Sequence, residues 1–229
     1  YYDRIFTLFN FEPKYFTKYG LKSEFVGHQI FFKHQKILKK KKIITFLPGS
    51  RTSEIINNMK KLKYVIEKSI REFNGFKFYI LTFKENEKLI KRFISNDYIE
   101  VIHDSKKKEK IMRNSFLALA ASGSVTLELI KYQTPFIVFY ETHWITKLFI
   151  KSLVKVKFAS IINIFYNNEI IPEYLFQKFS LENIIKKMNE MVHNNKLREE
   201  QIKYFKDFAN KMLIGKKNPS DLIVKKLKL

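Results

Sequence analysis

What most constrains this chain is an alternation. From Ile43 to Phe139, short β-branched and aromatic runs take turns with longer stretches whose apolar residues recur at helical spacing. Ile43–Leu47, Phe76–Thr82, Ile99–Ile102, Phe116–Ala120 and Phe136–Phe139 read as strands. Ser53–Phe73, Glu85–Ile94, Lys107–Arg113 and Val125–Tyr132 read as the helices between them. In the first helix Ile55, Met59, Leu62, Ile66, Ile70 and Phe73 form one apolar face. Strands joined through helices run parallel, so the expected fold is α/β, a doubly wound, Rossmann-like parallel sheet. Ahead of it, Ile5–Phe9 reads as a strand end, Glu12–Tyr19 as a short helix and Glu24–Val26 as a further strand. Behind it, Leu181–His193, Lys196–Leu213 and Ser220–Leu227 make a helical tail. The expected division is residues 1–28 as the end of a preceding domain, 29–42 as a linker, 43–200 as the sheet domain and 201–229 as carboxyl-terminal helices.

Composition removes several alternatives. A 45% hydrophobic and 16% aromatic content is incompatible with wholesale disorder. No cysteine is present, which excludes disulfides, a thiol nucleophile and zinc–thiolate sites and fits a cytosolic setting. The longest apolar stretches, Pro135–Tyr140 and Phe158–Tyr166, fall far short of the ~20 residues of a membrane span. No signal peptide is visible, and an opening at Tyr1-Tyr2-Asp3 without methionine suggests a true start further upstream. The net charge of +22 invites a nucleic-acid reading. Six of the 44 basic residues are arginines, however, and the lysines are scattered, with runs only at Lys39–Lys42 and Lys106–Lys108. That distribution suits a solvated surface, or a face apposed to anionic lipid, better than a nucleic-acid groove. The histidines (28, 34, 103, 143 and 193) lie far apart without ligand spacing, so no metal is expected. Trp144, Leu148, Phe149 and Leu153 form an apolar stripe that reads as core, or alternatively as a lipid-contacting or dimer surface.

Two turns carry the chemistry. In Pro48-Gly49-Ser50-Arg51 a glycine lets backbone approach a ligand, a helix start offers amides, and Arg51 offers a planar fork for phosphate oxygens. In Ser122-Gly123-Ser124 amides and hydroxyls precede a helix, with Glu128 one turn in and able to accept from two vicinal hydroxyls, as on a ribose. Each has a plain alternative: an ordinary turn with a solvated Arg51, or Ser124 as a helix cap with Glu128 as a first-turn charge. Both turns follow strands, so both fall on the carboxyl edge of the sheet, where such folds bind ligands.

These residues resemble the lipid-A-disaccharide synthase family, glycosyltransferases of the two-domain GT-B type. Phe9-Asn10-Phe11-Glu12 with Tyr15, Phe25-Val26-Gly27-His28 and Leu47-Pro48-Gly49-Ser50-Arg51 with Glu54-Ile55 match family segments in order. So do Ala121-Ser122-Gly123-Ser124 through Leu127-Glu128, Pro135 with Val138 and Tyr140, Ser160–Asn163, and Ile171-Pro172-Glu173 with Gln177. The resemblance implies transfer of 2,3-diacylglucosamine from UDP-2,3-diacylglucosamine to 2,3-diacylglucosamine 1-phosphate, inverting the anomeric centre with neither metal nor other cofactor. It implies that Gly49, Ser50, Arg51, Ser122, Gly123 and Ser124 hold the diphosphate and Glu128 the ribose, with Asn163 and Gln177 lining the cleft. It further implies a cytoplasmic enzyme, peripheral on the anionic inner membrane, a homodimer being one arrangement. The first 28 residues would end an acceptor domain carrying the general base; Asp97 and Asp104 read as surface charges, so no catalytic residue is assigned in this chain. The chain departs from the pattern at Gln29 and Ile162, where prolines are usual, and in a shorter linker. Another UDP-GlcNAc-using GT-B enzyme, or a basic nucleic-acid-binding module, are the alternatives.

Overall fold

The computed structural model describes residues 3–32, 37–94, 97–140, 158–175, 180–215 and 217–227. The chain divides into two compact units: residues 37–202, and residues 1–36 together with 203–229. Gln177, His34, His143 and the stripe at Trp144, Leu148, Phe149 and Leu153 lie outside the described residues.

The larger unit is built on six parallel strands: β3 (Ile43–Leu47), β4 (Lys77–Leu81), β5 (Ile99–Ile102), β6 (Leu117–Ala121), β7 (Phe136–Tyr140) and β8 (Glu173–Leu175). Their order is β5-β4-β3-β6-β7-β8. The chain winds outward from β3 through β4 to β5, then returns to lay β6 against the other side of β3. The winding therefore reverses between β3 and β6. Leu47 there pairs with Ala120, so the two strands end side by side. Both strands are buried along their whole length, as expected of parallel strands covered on both faces.

Helix α3 (Thr52–Glu72) follows β3 because its apolar residues keep helical spacing and no glycine or proline interrupts it. It buries Ile55, Met59, Leu62, Val65 and Ile66 against the sheet. Helix α8 (Leu181–His193), capped by Ser180, joins the same core through Ile184, Ile185, Met188 and Met191. At about 1.5–3 kcal/mol for each large apolar side chain withdrawn from water, this shared face contributes a large part of the unit's stability. The remaining crossovers are a 3₁₀ turn at Lys84–Asn86 leading into α4 (Glu87–Lys91), α5 (Ser105–Asn114), α6 (Val125–Lys131) and α7 (Ile161–Tyr166).

Part of the expected linker is docked. Lys40, in residues 37–42, donates from Nζ to the carbonyl oxygens of Arg113 (2.9 Å) and Tyr132 (2.9 Å) and to Thr134 Oγ1 (2.7 Å). Lys41 N donates to Asn114 O (2.8 Å). Burial pushes the Lys40 ammonium down to about 7, and the Arg113 charge pushes the same way.

The smaller unit pairs β1 (Ile5–Thr7) in parallel with β2 (Ser23–Phe25), connected by α1 (Pro13–Thr17). Helix α2 (Gln29–Phe32) occupies the start of the expected linker. The residues of α9 (Asn195–Lys211) from Lys203 onward, and α10 (Pro219–Leu227), belong to this unit. His28 N donates to Met212 O (2.8 Å), Phe31 meets Phe208 edge-on at 5.8 Å, and Lys226 pairs with Glu24. The carboxyl-terminal helices thus complete a unit with the first 36 residues rather than forming a tail.

Candidate functional site

The turn after β3 is held by three side chains. Asn58 Nδ2 donates to Pro48 O (2.8 Å), and Asn86 Nδ2 donates to Ser50 O (3.0 Å). Glu54 Oε2 accepts from Ser50 N (3.0 Å) and Arg51 N (3.4 Å), the returning half of a capping box. Gly49 sits at φ +115°, and a Cβ there would lie 2.5 Å from the Glu54 carboxyl. Glycine is thus required twice, by backbone angle and by space. Arg51 is extended (φ −87°, ψ 141°) at the N-cap of α3; it is exposed, and its side chain makes no capping bond.

The turn after β6 is looser. Ser122 N is committed to the sheet, donating to Phe139 O at 3.3 Å, so the expectation that its amide faces a ligand is corrected. The amides of Gly123 and Ser124 have no acceptor among the described residues. Ser124 is already helical (φ −59°, ψ −26°) and its hydroxyl caps nothing, which removes the helix-cap alternative. Thr126 fixes the turn instead, donating from N (3.1 Å) and Oγ1 (2.7 Å) to Gly123 O. A Cβ on Gly123 would meet nothing within 4 Å. The fold itself does not demand a glycine there.

The two turns face one cavity of about 310 Å³ at the winding reversal. Gly49, Ser50 and Glu54 line it from the first turn, and Ser122, Gly123, Ser124 and Glu128 from the second. A third wall comes from the end of β4 and from α5: Leu81, Thr82, Phe83, Lys108, Glu109 and Met112. Burial raises the Glu128 carboxyl; Lys108 and Lys131 pull it back, and Glu109 opposes them. Burial, with Glu109 and Glu128, likewise pushes the Tyr132 phenol up to about 12. The volume is at the small end of ligand pockets, enough for a nucleotide and too small for a doubly acylated sugar as well.

Other expected residues lie elsewhere. Arg51 is exposed and is not among the residues that line the cavity. Asn163 is fully buried, and all four of its hydrogen-bonding positions are used: Nδ2 donates to Ile171 O and Glu173 Oε1 (both 2.8 Å), and Oδ1 accepts from Ile170 N (2.8 Å) and Ile171 N (2.9 Å). It pins the segment entering β8 and has no group left for a ligand, which corrects its expected place in the cleft. His28 belongs to the smaller unit, between the rings of Phe9 and Phe31, and burial lowers its pKa against the pull of Glu12. Asp104 caps α5 by accepting from Lys107 N (2.8 Å). Asn58, Asn86 and the whole third wall carry no motif that marks them in the sequence. The signal for Asn58 was a polar residue on the apolar face of α3.

A cavity at the winding reversal of a parallel sheet, between two glycine turns, makes this unit a ligand-binding domain of the doubly wound α/β class. Two solved structures share the fold: the S. aureus MnaA–UDP co-structure (16% identity, TM-score 0.63, covering 99% of this chain and 59% of that one), and the UDP-GlcNAc 2-epimerase from Neisseria meningitidis bound to UDP-GlcNAc (14%, 0.63, 99% and 61%). The family model for lipid-A-disaccharide synthetase matches residues 1–227, and the chain belongs to that family. It is 30% identical over 240 residues to the lipid-A-disaccharide synthase of Rickettsia prowazekii, covering 99% of this chain and 63% of that protein. It is 32% identical over 213 residues to that of Rickettsia conorii, covering 88% and 48%. The chain spans between about half and just under two thirds of the length of these relatives.

Proposed function

We propose that the chain is the donor-binding portion of a lipid-A-disaccharide synthase, taking UDP-2,3-diacylglucosamine as donor and 2,3-diacylglucosamine 1-phosphate as acceptor. The observation that carries this reading is that Gly49–Ser50 and Ser122–Glu128, distant in sequence, border one nucleotide-sized cavity at the β3–β6 reversal. In this reading Glu128 accepts from the ribose hydroxyls. The unpaired amides of Gly123 and Ser124, with the exposed Arg51 swinging in, balance the charge that builds on the departing diphosphate. The acyl chains stay outside a cavity of this size. The general base belongs to the portion of the family's length that the chain does not span, so these 229 residues bind donor without transferring it. No helix among the described residues is long and apolar enough to cross a membrane. Contact with an anionic membrane surface is supported by exposed Tyr15 and Tyr19, each with a lysine over its ring. Calorimetry tests the site: the parent chain should bind UDP, and Arg51→Ala and Glu128→Ala should each weaken binding at least tenfold. Two variants that bind UDP like the parent would remove this assignment.

A further inference from the structure

Two residues of the cavity wall are held by a side chain that does not line the cavity. Met112 on α5 and Tyr132 at the end of α6 are lining residues, 5% and 6% exposed. Lys40 Nζ donates to Tyr132 O (2.9 Å) and to Thr134 Oγ1 (2.7 Å), and the Thr134 hydroxyl donates on to Met112 O (2.7 Å). A third bond from Nζ goes to the carbonyl of Arg113, the residue after Met112. The three hydrogens of one ammonium thus meet three acceptors at the ends of two helices that wall the cavity. The turn they hold is strained. Gln133 sits at φ 51°, in the left-handed region that residues other than glycine rarely adopt, and Lys40 grips the residue on either side of it. The ammonium itself is half buried against neutral oxygens, with the Arg113 charge acting against it. Stability alone does not select a cation for such a place.

We infer that Lys40 is a positioning residue for the nucleotide: from outside the cavity it fixes where Met112 and Tyr132 stand in the wall, and so couples the segment leading into β3 to ligand affinity. This rests on the nucleotide reading of the cavity and adds a control that lies outside the site. The coupling has a direction in pH. A charged amine has hydrogens for all three acceptors and a neutral one for only two, so deprotonation releases a bond. Folded Lys40 titrates near 7, and UDP affinity should fall as pH rises through that value. Stability rises over the same range, because the unfolded state binds the extra proton. Arg113 on α5 acts on Lys40 by its charge, and the Tyr132 phenol, pushed up to about 12, does not titrate there.

The test is calorimetry with UDP on the acid and alkaline sides of pH 7, using the parent, Lys40→Arg, Lys40→Met and Thr134→Val, each shown to be folded by circular dichroism. Titrations in UDP or in the cavity are common to the parent and Lys40→Arg and cancel between them. Relative to Lys40→Arg, the parent should lose about threefold in affinity across the step. Lys40→Met should bind about tenfold more weakly than the parent on the acid side, and Thr134→Val, which cuts only the link to Met112, about threefold more weakly. Folded Lys40→Met that binds UDP like the parent makes Lys40 a brace for stability alone, which overturns the inference and leaves the nucleotide site standing. An equal step in the parent and Lys40→Arg places the pH effect elsewhere and overturns it as well. Should Lys40→Met fail to fold, Thr134→Val decides, and unchanged affinity there overturns the inference. A parent chain that does not bind UDP on either side of pH 7 removes the nucleotide reading itself.

Discussion

At the scale of single residues, the two turns solve one problem in different ways. Gly49 is enforced from within the protein, by its φ and by the Glu54 carboxyl, whereas Gly123 is enforced by nothing in the described structure. A glycine that the fold does not need leaves room for something the fold does not contain. Glu128 stands beside that room, its carboxyl raised chiefly by burial. A raised pKa means that the proton arrives at higher pH than for an ordinary carboxylate. UDP affinity is therefore expected to fall on acidification while the pH is still above the usual value of 4.5, as the carboxylate loses its capacity to accept from two hydroxyls. Calorimetry across pH checks this, with Glu128→Gln expected to bind weakly and to lose that component of the pH dependence.

At the scale of elements, the positions of the five strands from Ile43 to Phe139 and the face of α3 were readable because they depend on neighbours a few positions apart. Ile55, Met59, Leu62 and Ile66 announce a buried stripe by spacing alone. The contacts that shape the site do not, since Asn86 reaches back 36 residues to Ser50 and Lys40 reaches forward to Arg113, Tyr132 and Thr134. A lysine run read as solvated linker thus hides one half-buried ammonium that donates to two backbone carbonyls at helix ends. The strand β8 was missed for a related reason: with only three residues and a buried glutamate at its head, it lacks the apolar run of a strand. Glu173 is instead satisfied by Ala159 N (2.8 Å), Ser160 N (2.7 Å) and Asn163 Nδ2. Lys40→Met should destabilise the chain by about 1–3 kcal/mol near neutral pH, because it removes the donor to the Arg113 and Tyr132 carbonyls and to Thr134 Oγ1. The pH dependence has a defined sign. The folded lysine titrates near 7 and the unfolded one near 10.5, so the unfolded state binds the extra proton between them and parent stability rises with pH over that window. Denaturant unfolding at several pH values should show that slope in the parent and its loss in Lys40→Met.

At the scale of the whole molecule, the division into two units assigns separate tasks. Every described residue lining the cavity belongs to residues 37–202. The smaller unit is tied through residues nearly two hundred positions apart, such as His28 with Met212, which no local pattern reveals. Its aromatic centre should therefore matter for folding and not for the ligand. Phe31→Ala, which empties a position packed by His28 and Phe208, is expected to lower stability by about 3–5 kcal/mol. The folded protein should still bind UDP within about twofold of the parent. Thermal unfolding and calorimetry on the same sample check both halves of this statement, and a large loss of affinity would tie the cavity to the smaller unit.

The bracing of the Pro48–Arg51 turn has a consequence in time rather than in space. Asn58, Asn86 and Glu54 hold the loop through hydrogen bonds internal to the protein, so its ordering entropy is spent during folding and not during encounter. A ligand reaching this turn meets backbone that is already braced. Arrival is then set by diffusion and charge, and substitutions in the walls act mainly on how long the ligand stays.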